Sequence, residues 1–223
     1  MSSLLRCVLM ALVLTPACSV RAQEAVTSLT GPVTEGITSV EEAMQTRRSV
    51  RCFDPGEALG LDQVSQILWA AQGITARGRL RTAPSAGALY PFTIYLVAER
   101  VDSLDPGIYR YLPLDNSLEL LREGNFLADI STASLNQIWM NQACILIALV
   151  ADYSVITGVY GDRGVMYTHM EAGHISQNVY LQCVSLGLGT CAVGAFEDGS
   201  VDEILDLPEG ETSVYLMPVG VPD

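Results

Sequence analysis

The sequence contains no lysine, so arginine supplies every fixed positive charge. The 12 basic residues are outnumbered by 25 acidic ones, and the formal net charge is −13 over 223 residues. A chain this acidic is repelled by nucleic acid and by anionic membrane surfaces, whose charge has the same sign. We therefore predict no nucleic-acid partner, and we expect the arginines to act locally.

Recognisable metal and dinucleotide motifs are also missing. None of the six cysteines forms a C-x-x-C pair, although Cys183 and Cys191 could pair in an oxidising compartment; buried free thiols are the commoner outcome. His169 and His174 do not share the helix face that an i, i+4 pair would occupy, so we predict no metal site. The glycines of Gly187–Gly194 follow a predicted helix and enter a predicted strand, which is the reverse of a Rossmann turn.

The N-terminal residues have the pattern of an export signal. Arg6 precedes an apolar run from residue 7 to residue 14, and small side chains before Gln23 offer a cleavage site. We predict a signal peptide over residues 1–22 and an exported mature protein, periplasmic or otherwise extracytoplasmic. The alternative is a lipoprotein anchored at Cys18, which is the one route by which we expect contact with a membrane.

The rest of the sequence is predicted to form one domain, because no linker rich in Gly, Ser or Pro divides it. Residues 23–36 lack periodicity and are predicted to be a flexible arm, with the domain over residues 37–223. Helical and strand patterns alternate irregularly, which favours an α+β fold with helices flanking a central sheet. Helices are predicted over 38–46, 61–72, 130–141, 164–186 and 200–207, and strands over 92–98, 108–112, 118–121, 144–151, 190–193 and 213–219.

The most informative stretch is Arg47-Arg48-Ser49-Val50-Arg51. Planar, permanently charged guanidinium groups with a hydroxyl between them suit a phosphate, which they can hold through paired hydrogen bonds. A solvated run of surface charge is the alternative interpretation, because short basic runs are common.

A second segment, Pro84-Ser85-Ala86-Gly87-Ala88-Leu89-Tyr90-Pro91, lies between a predicted helix and a predicted strand. Its small residues allow the backbone to approach a flat ligand and leave backbone amides free to donate hydrogen bonds. On these residues alone, a tight connection without a ligand explains the segment equally well.

These two segments, followed by Gly-Leu-Gly-Thr-Cys-Ala-Val-Gly-Ala-Phe at 187–196, resemble the nitroreductase family of flavin mononucleotide (FMN) enzymes. Within the family, the chain looks most like the azoline dehydrogenase (SagB-type) branch of peptide-toxin maturation, through Tyr-Gly-Asp-Arg at 160–163 and Glu-Ala-Gly-His at 171–174. The resemblance covers about residues 39–222. It implies a nitroreductase-like FMN-binding fold with a mixed, mainly antiparallel sheet, and a homodimer with FMN at the interface.

The resemblance also implies roles for individual residues. Arg47, Arg48 and Ser49 are expected to bind the phosphate and ribityl chain of FMN, and Arg51 to lie by the pyrimidine edge of the flavin ring. A fixed cation at that edge stabilises the negative charge that hydride transfer to flavin N5 leaves at N1 and O2. The resemblance places two further sets of residues at the flavin: Pro84, Ser85, Ala86 and Gly87 from the partner subunit, and Ala192, Val193 and Gly194 against the ring near N5.

One departure from the pattern concerns proton transfer. Azoline dehydrogenases carry a Lys-Tyr pair where this chain has Val159-Tyr160, and valine cannot move a proton. Tyr160 is left as a candidate proton donor, and with Arg51 it forms our predicted catalytic pair. Arg163 and Glu171 are expected to form an ion pair rather than to touch a substrate.

The predicted function is an FMN-dependent oxidoreductase that passes a hydride through flavin N5. The hydride would move between a donor and an electron-poor or oxidisable organic substrate, either a small molecule or a peptide. Two alternatives stay open: an azoline-type peptide dehydrogenase that lacks the usual lysine, and a flavin-binding protein without turnover.

Overall fold

The computed structural model describes residues 26–77 and 80–223. The strands are β1 (Val26–Ser28), β2 (Ile74–Ala76), β3 (Leu80–Arg81), β4 (Phe92–Ala98), β5 (Gly107–Leu112), β6 (Ser117–Glu123), β7 (Ile145–Asp152), β8 (Gly189–Thr190) and β9 (Glu211–Gly220). The helices are α1 (Val40–Thr46), α2 (Leu61–Gln72), α3 (Leu127–Ala133), α4 (Tyr153–Tyr160), α5 (Arg163–Ser185) and α6 (Asp198–Leu205), and short 3₁₀ turns cover Ala86–Ala88 and Ile138–Gln142.

A seven-stranded sheet with the order β1-β6-β5-β4-β7-β9-β8 forms the centre of the fold. Its strands pair in antiparallel fashion, and β4 pairs with β7 from Phe92 opposite Ala151 to Ala98 opposite Ile145. The apolar run of β7 is buried on both faces, which is why it reads as an unbroken hydrophobic stretch. The prediction of a mainly antiparallel central sheet is confirmed.

Helices cover both faces of the sheet and enclose two hydrophobic cores. On one face α2 and α5 pack through side chains such as Ile67 and Val179, which are fully buried. On the other face α3 and α6 pack through Ile130 and Val201, which are also fully buried. Removing each such side chain from water contributes roughly 1.5–3 kcal/mol, so both layers stabilise the sheet. The predicted α+β class is therefore confirmed.

Helix α2 and strand β4 begin and end at the predicted residues. Gly73 ends α2, and its N–H donates to the carbonyl of Trp69 at 2.7 Å. A Cβ at Gly73 would lie 2.1 Å from the Trp69 ring and 2.7 Å from its carbonyl oxygen, so only glycine fits this helix end. The glycine that serves as the stop signal in the sequence is thus required by packing.

Several predicted element bounds need correction. Helix α1 is capped by Ser39, whose hydroxyl accepts from the Glu42 N–H at 3.1 Å, so the helix begins at Val40 and not at the predicted residue 38. Helix α6 has Glu197 as its N-cap, which places Ser200 inside the helix rather than at its start. The helix predicted over 130–141 is divided, because Leu135 and Asn136 adopt positive φ angles of 56° and 57°.

The predicted flexible arm is wrong for residues 26–33, which are held against the domain. β1 pairs with β6, and Ser65 donates a hydrogen bond to the Thr30 carbonyl at 2.7 Å. The Val33 N–H donates to the side chain of Gln66 at 2.8 Å.

The predicted signal peptide and Cys18 lie outside the described residues. Within residues 26–77 and 80–223, no helix combines the length and the apolar composition that a membrane crossing requires. Cys183 and Cys191 are both free thiols in the structure.

Candidate functional site

The segment Arg47–Arg51 leaves the end of α1 and runs beside β8. Ser49 forms a parallel bridge with Thr190, and the Val50 N–H donates to the Thr190 carbonyl at 2.9 Å. Val50 packs so closely on Gly189 that a Cβ there would lie 2.7 Å from the valine side chain. These contacts fix the backbone and leave Arg48, Ser49 and Arg51 exposed, with Arg47 half-buried. We call Arg47, Arg48, Ser49 and Arg51 the arginine cluster.

The guanidinium groups of the arginine cluster have no carboxylate partner in the described part of the chain. Among residues 26–77 and 80–223 the salt bridge between Arg110 and Glu119 is the only one, so Arg47, Arg48 and Arg51 form none. Fixed positive charge without a carboxylate partner, in a chain of net charge −13, is available to an anion from outside the chain.

Aromatic rings hold two of these guanidinium groups in place. The guanidinium of Arg47 lies over the ring of Tyr180, 5.1 Å from its centre, and that of Arg51 lies 5.9 Å from the ring centre of Trp139. Such contacts contribute about 0.5–1 kcal/mol at exposed sites and orient the planar groups without neutralising them. Their hydrogen-bond donors stay usable.

Tyr180 of α5 links the arginine cluster to the segment Ala192–Gly194. Its hydroxyl lies 3.0 Å from the Ser49 hydroxyl and accepts a hydrogen bond from the Ala192 N–H at 2.7 Å. Val193 is held by two backbone hydrogen bonds with Leu216, at 2.8 and 3.0 Å. The structure therefore brings together two of the three sets of predicted site residues.

Sequence reasoning missed Tyr180, because a tyrosine within a long helix has no distinctive spacing. The only signal is its position one residue after Val179, which is fully buried. That neighbour places Tyr180 at the edge of the buried face of α5, where it is half-buried.

The third predicted set, Pro84–Gly87, packs against the middle of α5. The Pro84 carbonyl lies 3.3 Å from Nδ1 of His174, and Gly87 has a φ of 60°. A Cβ at Gly87 would lie 2.8 Å from the Tyr160 hydroxyl, so Tyr160 sits directly on this loop. We call Pro84–Gly87 with Tyr160, Tyr167, Glu171 and His174 the loop cluster.

A cavity of about 270 Å³ opens within the loop cluster. It is lined by Pro84–Ala86 on one side and by Tyr167, Met170, Glu171 and His174 of α5 on the other. The rings of Tyr160 and Tyr167 meet edge to face with their centres 5.2 Å apart. The predicted catalytic residue Tyr160 therefore lies with the loop cluster and not with Arg51.

Glu171 is a buried carboxylic acid beneath this cavity, with 2% of its surface exposed. Burial raises the pKa of Glu171 to about 7, against the opposing influence of Ser85, Gln72 and Arg81, which lie near it. These neighbours do not complete hydrogen bonds to it: in the described part of the chain neither carboxylate oxygen has a partner of good geometry.

The predicted ion pair between Arg163 and Glu171 is wrong. The guanidinium of Arg163 lies over the ring of Tyr167, 5.8 Å from its centre, while Glu171 faces the interior. Sequence spacing could not show this, because it does not tell which side of α5 is buried by the loop.

Within one chain the two clusters occupy different positions on α5. Tyr180 and Glu171 are nine residues apart, which corresponds to about 13 Å along a helix. Two larger cavities, of about 430 and 490 Å³, lie between α1, α2 and α5 and contain none of the predicted site residues. The predicted site residues are therefore gathered at the two clusters and not at the larger cavities.

The Nitroreductase family model matches residues 44–221 of this chain. The candidate nitroreductase MJ1384 of Methanocaldococcus jannaschii is 43% identical over 183 residues, which cover 81% of this chain and 90% of that protein. The structure of a candidate nitroreductase from Ralstonia eutropha superposes with a TM-score of 0.77 at 27% identity, covering 92% of both chains. The structure of a second candidate nitroreductase, from Anabaena variabilis, superposes with a TM-score of 0.78 at 28% identity. The match covers 90% of this chain but only 42% of that longer one.

More distant relatives share the fold. The microcin B17-processing protein McbC of Escherichia coli is 25% identical over 136 residues, covering 58% of this chain and 49% of McbC. An NADPH:FMN oxidoreductase from Vibrio harveyi, solved with NAD+, superposes with a TM-score of 0.60 at 20% identity, covering 82% of this chain and 68% of that one.

Proposed function

Because this chain belongs to the nitroreductase family, we propose that it is an FMN-dependent oxidoreductase. The single observation that supports this most directly is the arginine cluster, whose guanidinium groups have no carboxylate partner in the described residues and adjoin Ala192–Gly194 through Tyr180. An anionic cofactor with a long polar chain fits this arrangement.

The residues present fit FMN in two respects. Arg47 and Arg48, with the Ser49 hydroxyl, would hold its phosphate and ribityl chain. Arg51, oriented by Trp139, would place fixed positive charge at the flavin ring. FMN, when bound, supplies hydride transfer at N5, and the protein supplies binding, orientation and electrostatics.

We further propose that the functional unit is a homodimer in which the loop cluster of one copy meets the arginine cluster of the other. The two clusters lie apart on α5, so one chain does not bring all the predicted residues to one place. Apolar side chains beside the loop cluster support an interface, since Val159, Val165, Met166 and Met170 are 41–61% exposed.

The proposal is tested by the absorption spectrum and native mass of the purified mature domain. We expect the purified protein to show a flavin spectrum and a native mass of two chains. Denaturation should release the flavin, so that its absorption moves from the protein to the extract. Reduced protein mixed with quinones and nitroaromatics should reoxidise faster than free reduced flavin, which separates an enzyme from a flavin carrier. Failure to bind FMN, even when it is added to apoprotein, would overturn the proposal.

Replacing Tyr180 with phenylalanine is expected to weaken FMN binding about tenfold. The variant keeps the ring under Arg47 but loses the hydroxyl that meets Ser49 and accepts from Ala192, and one or two such hydrogen bonds contribute about 1 kcal/mol each. Fluorescence titration of apoprotein with FMN measures the effect. Tyr109→Phe, which removes a hydroxyl that donates to the Asp105 carbonyl outside both clusters, is the matched control and should bind FMN as the wild type does.

A second candidate function is the oxidation of a thiazoline or oxazoline peptide. The similarity to McbC and the contact of Tyr160 with the loop at Gly87 favour it, because the Tyr160 phenol is then a proton-transfer group close to the proposed flavin loop. Aromatisation removes a hydride, which FMN would accept, and a proton, which Tyr160 would relay by passing its own proton to solvent as it takes up the proton of the substrate.

Tyr160→Phe is expected to lower aromatisation of a thiazoline peptide at least about a hundredfold, the usual size of a general acid–base contribution, while leaving the flavin spectrum unchanged. Tyr153→Phe, which removes another hydroxyl of α4 that contacts His169 outside both clusters, serves as the control. Turnover is followed by the mass loss of two hydrogens. Equal activity in both variants would contradict the second candidate and leave the first untouched.

We also propose that residues 1–22 direct export. The protein would then receive electrons from an organic substrate or a membrane electron carrier, because nicotinamide donors are cytosolic. A mature N-terminus at Gln23 in protein isolated from the native host is expected; an uncleaved N-terminus would contradict export, and a lipid-modified Cys18 would contradict this cleavage site.

A further inference from the structure

We propose that Glu171 is a positioning residue that decides whether the Ser85 hydroxyl is directed into the protein or offered to a bound flavin. The inference rests on the proposed function, because it takes the loop Pro84–Gly87 to be a flavin-contacting loop. It goes further by assigning a role to a buried carboxyl group beneath that loop.

The hydrogen bond that the Ser85 hydroxyl accepts leaves its own O–H free to donate to another group. The Ser85 hydroxyl oxygen accepts from the Tyr90 N–H at 2.9 Å. A hydroxyl has one O–H donor and two acceptor positions, so its proton and its second acceptor position remain. Ser85 and Glu171 line the same 270 Å³ cavity, and both carboxylate oxygens of Glu171 lack a hydrogen-bond partner among the described residues, so they are available to the Ser85 hydroxyl.

The direction of that interaction depends on the charge of Glu171. An ionised carboxylate is acceptor-only, so it takes the Ser85 O–H inward. A protonated carboxyl group instead donates its own proton to the free acceptor position of Ser85. The Ser85 O–H can then point into the 270 Å³ cavity, which it lines.

Charged and titratable groups surround Glu171 from several elements. Arg81 of β3 attracts the ionised form, and Gln72 of α2 lies beside it while accepting a hydrogen bond from Arg81 at 2.9 Å. His174, on the same helix and face, is engaged with the Pro84 carbonyl. Tyr167 lines the cavity. Burial outweighs these influences and raises the pKa of Glu171 to about 7, so both forms of Glu171 exist near neutral pH.

The test compares FMN affinity between pH 6 and pH 8.5 in the wild type, Glu171→Gln, Ser85→Ala and the double variant. Glutamine donates permanently to Ser85 and so mimics the protonated acid. We expect the wild type to lose about fivefold in affinity relative to Glu171→Gln as pH rises, the effect of one neutral hydrogen bond. Ionisation of FMN itself over this pH range changes the affinity of all four proteins equally, because they bind the same ligand, so it does not affect the comparison. In the Ser85→Ala background, Glu171→Gln should no longer change the pH dependence of FMN affinity.

The outcomes separate the two proposals. Parallel pH profiles for the wild type and Glu171→Gln would overturn the role of Glu171 and leave FMN binding intact. Absence of FMN binding in every protein would overturn the proposed function and this inference together. If Glu171→Gln does not fold, Ser85→Ala against the wild type decides alone, since only the wild type should lose the additional affinity above pH 7.

Discussion

Replacing Arg47, Arg48 and Arg51 together by glutamate is expected to weaken FMN binding by at least about a thousandfold. Each guanidinium–phosphate or guanidinium–flavin contact involves a charged group and contributes about 1.5–3 kcal/mol, and every 1.4 kcal/mol is tenfold in affinity. Three such contacts are lost, and carboxylates now repel the ligand. Fluorescence titration of apoprotein measures the dissociation constant.

The control reverses Arg77 and Arg122, which are exposed and lie outside both clusters. That variant also becomes more acidic, so it reports the long-range effect of net charge, which 0.5 M salt should largely remove. The triple variant should remain defective in the same salt, because its lost contacts are direct. Retained FMN occupancy in the triple variant would refute the proposed cofactor site.

Glu171→Gln is expected to raise the free energy of unfolding of the apoprotein by about 2 kcal/mol above pH 7 and to change it little below pH 4.5. The folded pKa of Glu171 is raised by burial to about 7, from an ordinary value of 4.5. Between these two pH values the folded state therefore binds more protons than the unfolded state. Wild-type stability falls as pH rises through this window, and glutamine, which does not ionise, escapes that loss.

Urea denaturation at pH 4.5, 6, 7 and 8.5 measures this difference. Glu209→Gln, at an exposed position, is the control and should show a constant offset from the wild type. A gain for Glu171→Gln that is equal at every pH would mean that packing, and not ionisation, is responsible.

The predicted elements that match the structure are those in which the local hydrophobic pattern agrees with the packing of the folded chain. Helix α2 has apolar residues on one face and a glycine at its end, and β7 is an apolar run long enough for one central strand. Helix α4 was not predicted, because Val155, Ile156 and Thr157 are β-branched residues that favour strands. Its start depends on Asp152, whose side chain accepts from the Ser154 N–H at 2.9 Å.

The candidate site was predictable in its parts and not in its assembly. The composition of Arg47–Arg51 indicates anion binding, but no local pattern reveals that Tyr180 joins it to Ala192, 12 residues further along the chain. Glu171 was visible as an acid on a helix, and its burial under Ser85 depends on how a loop almost 90 residues earlier packs. Contacts of this kind arise only when the chain is folded.

The number of helical residues between Glu171 and Tyr180 on α5 sets the separation between the two clusters. Nine residues of regular helix fix both the distance between the clusters and the angle between them, about 900° of winding or half a turn beyond two full turns. Loops elsewhere can lengthen without altering this geometry. Insertion of a single residue between the two positions would rotate one cluster by about 100° relative to the other. The length of this part of the helix therefore cannot change without disturbing the relative placement of the two clusters.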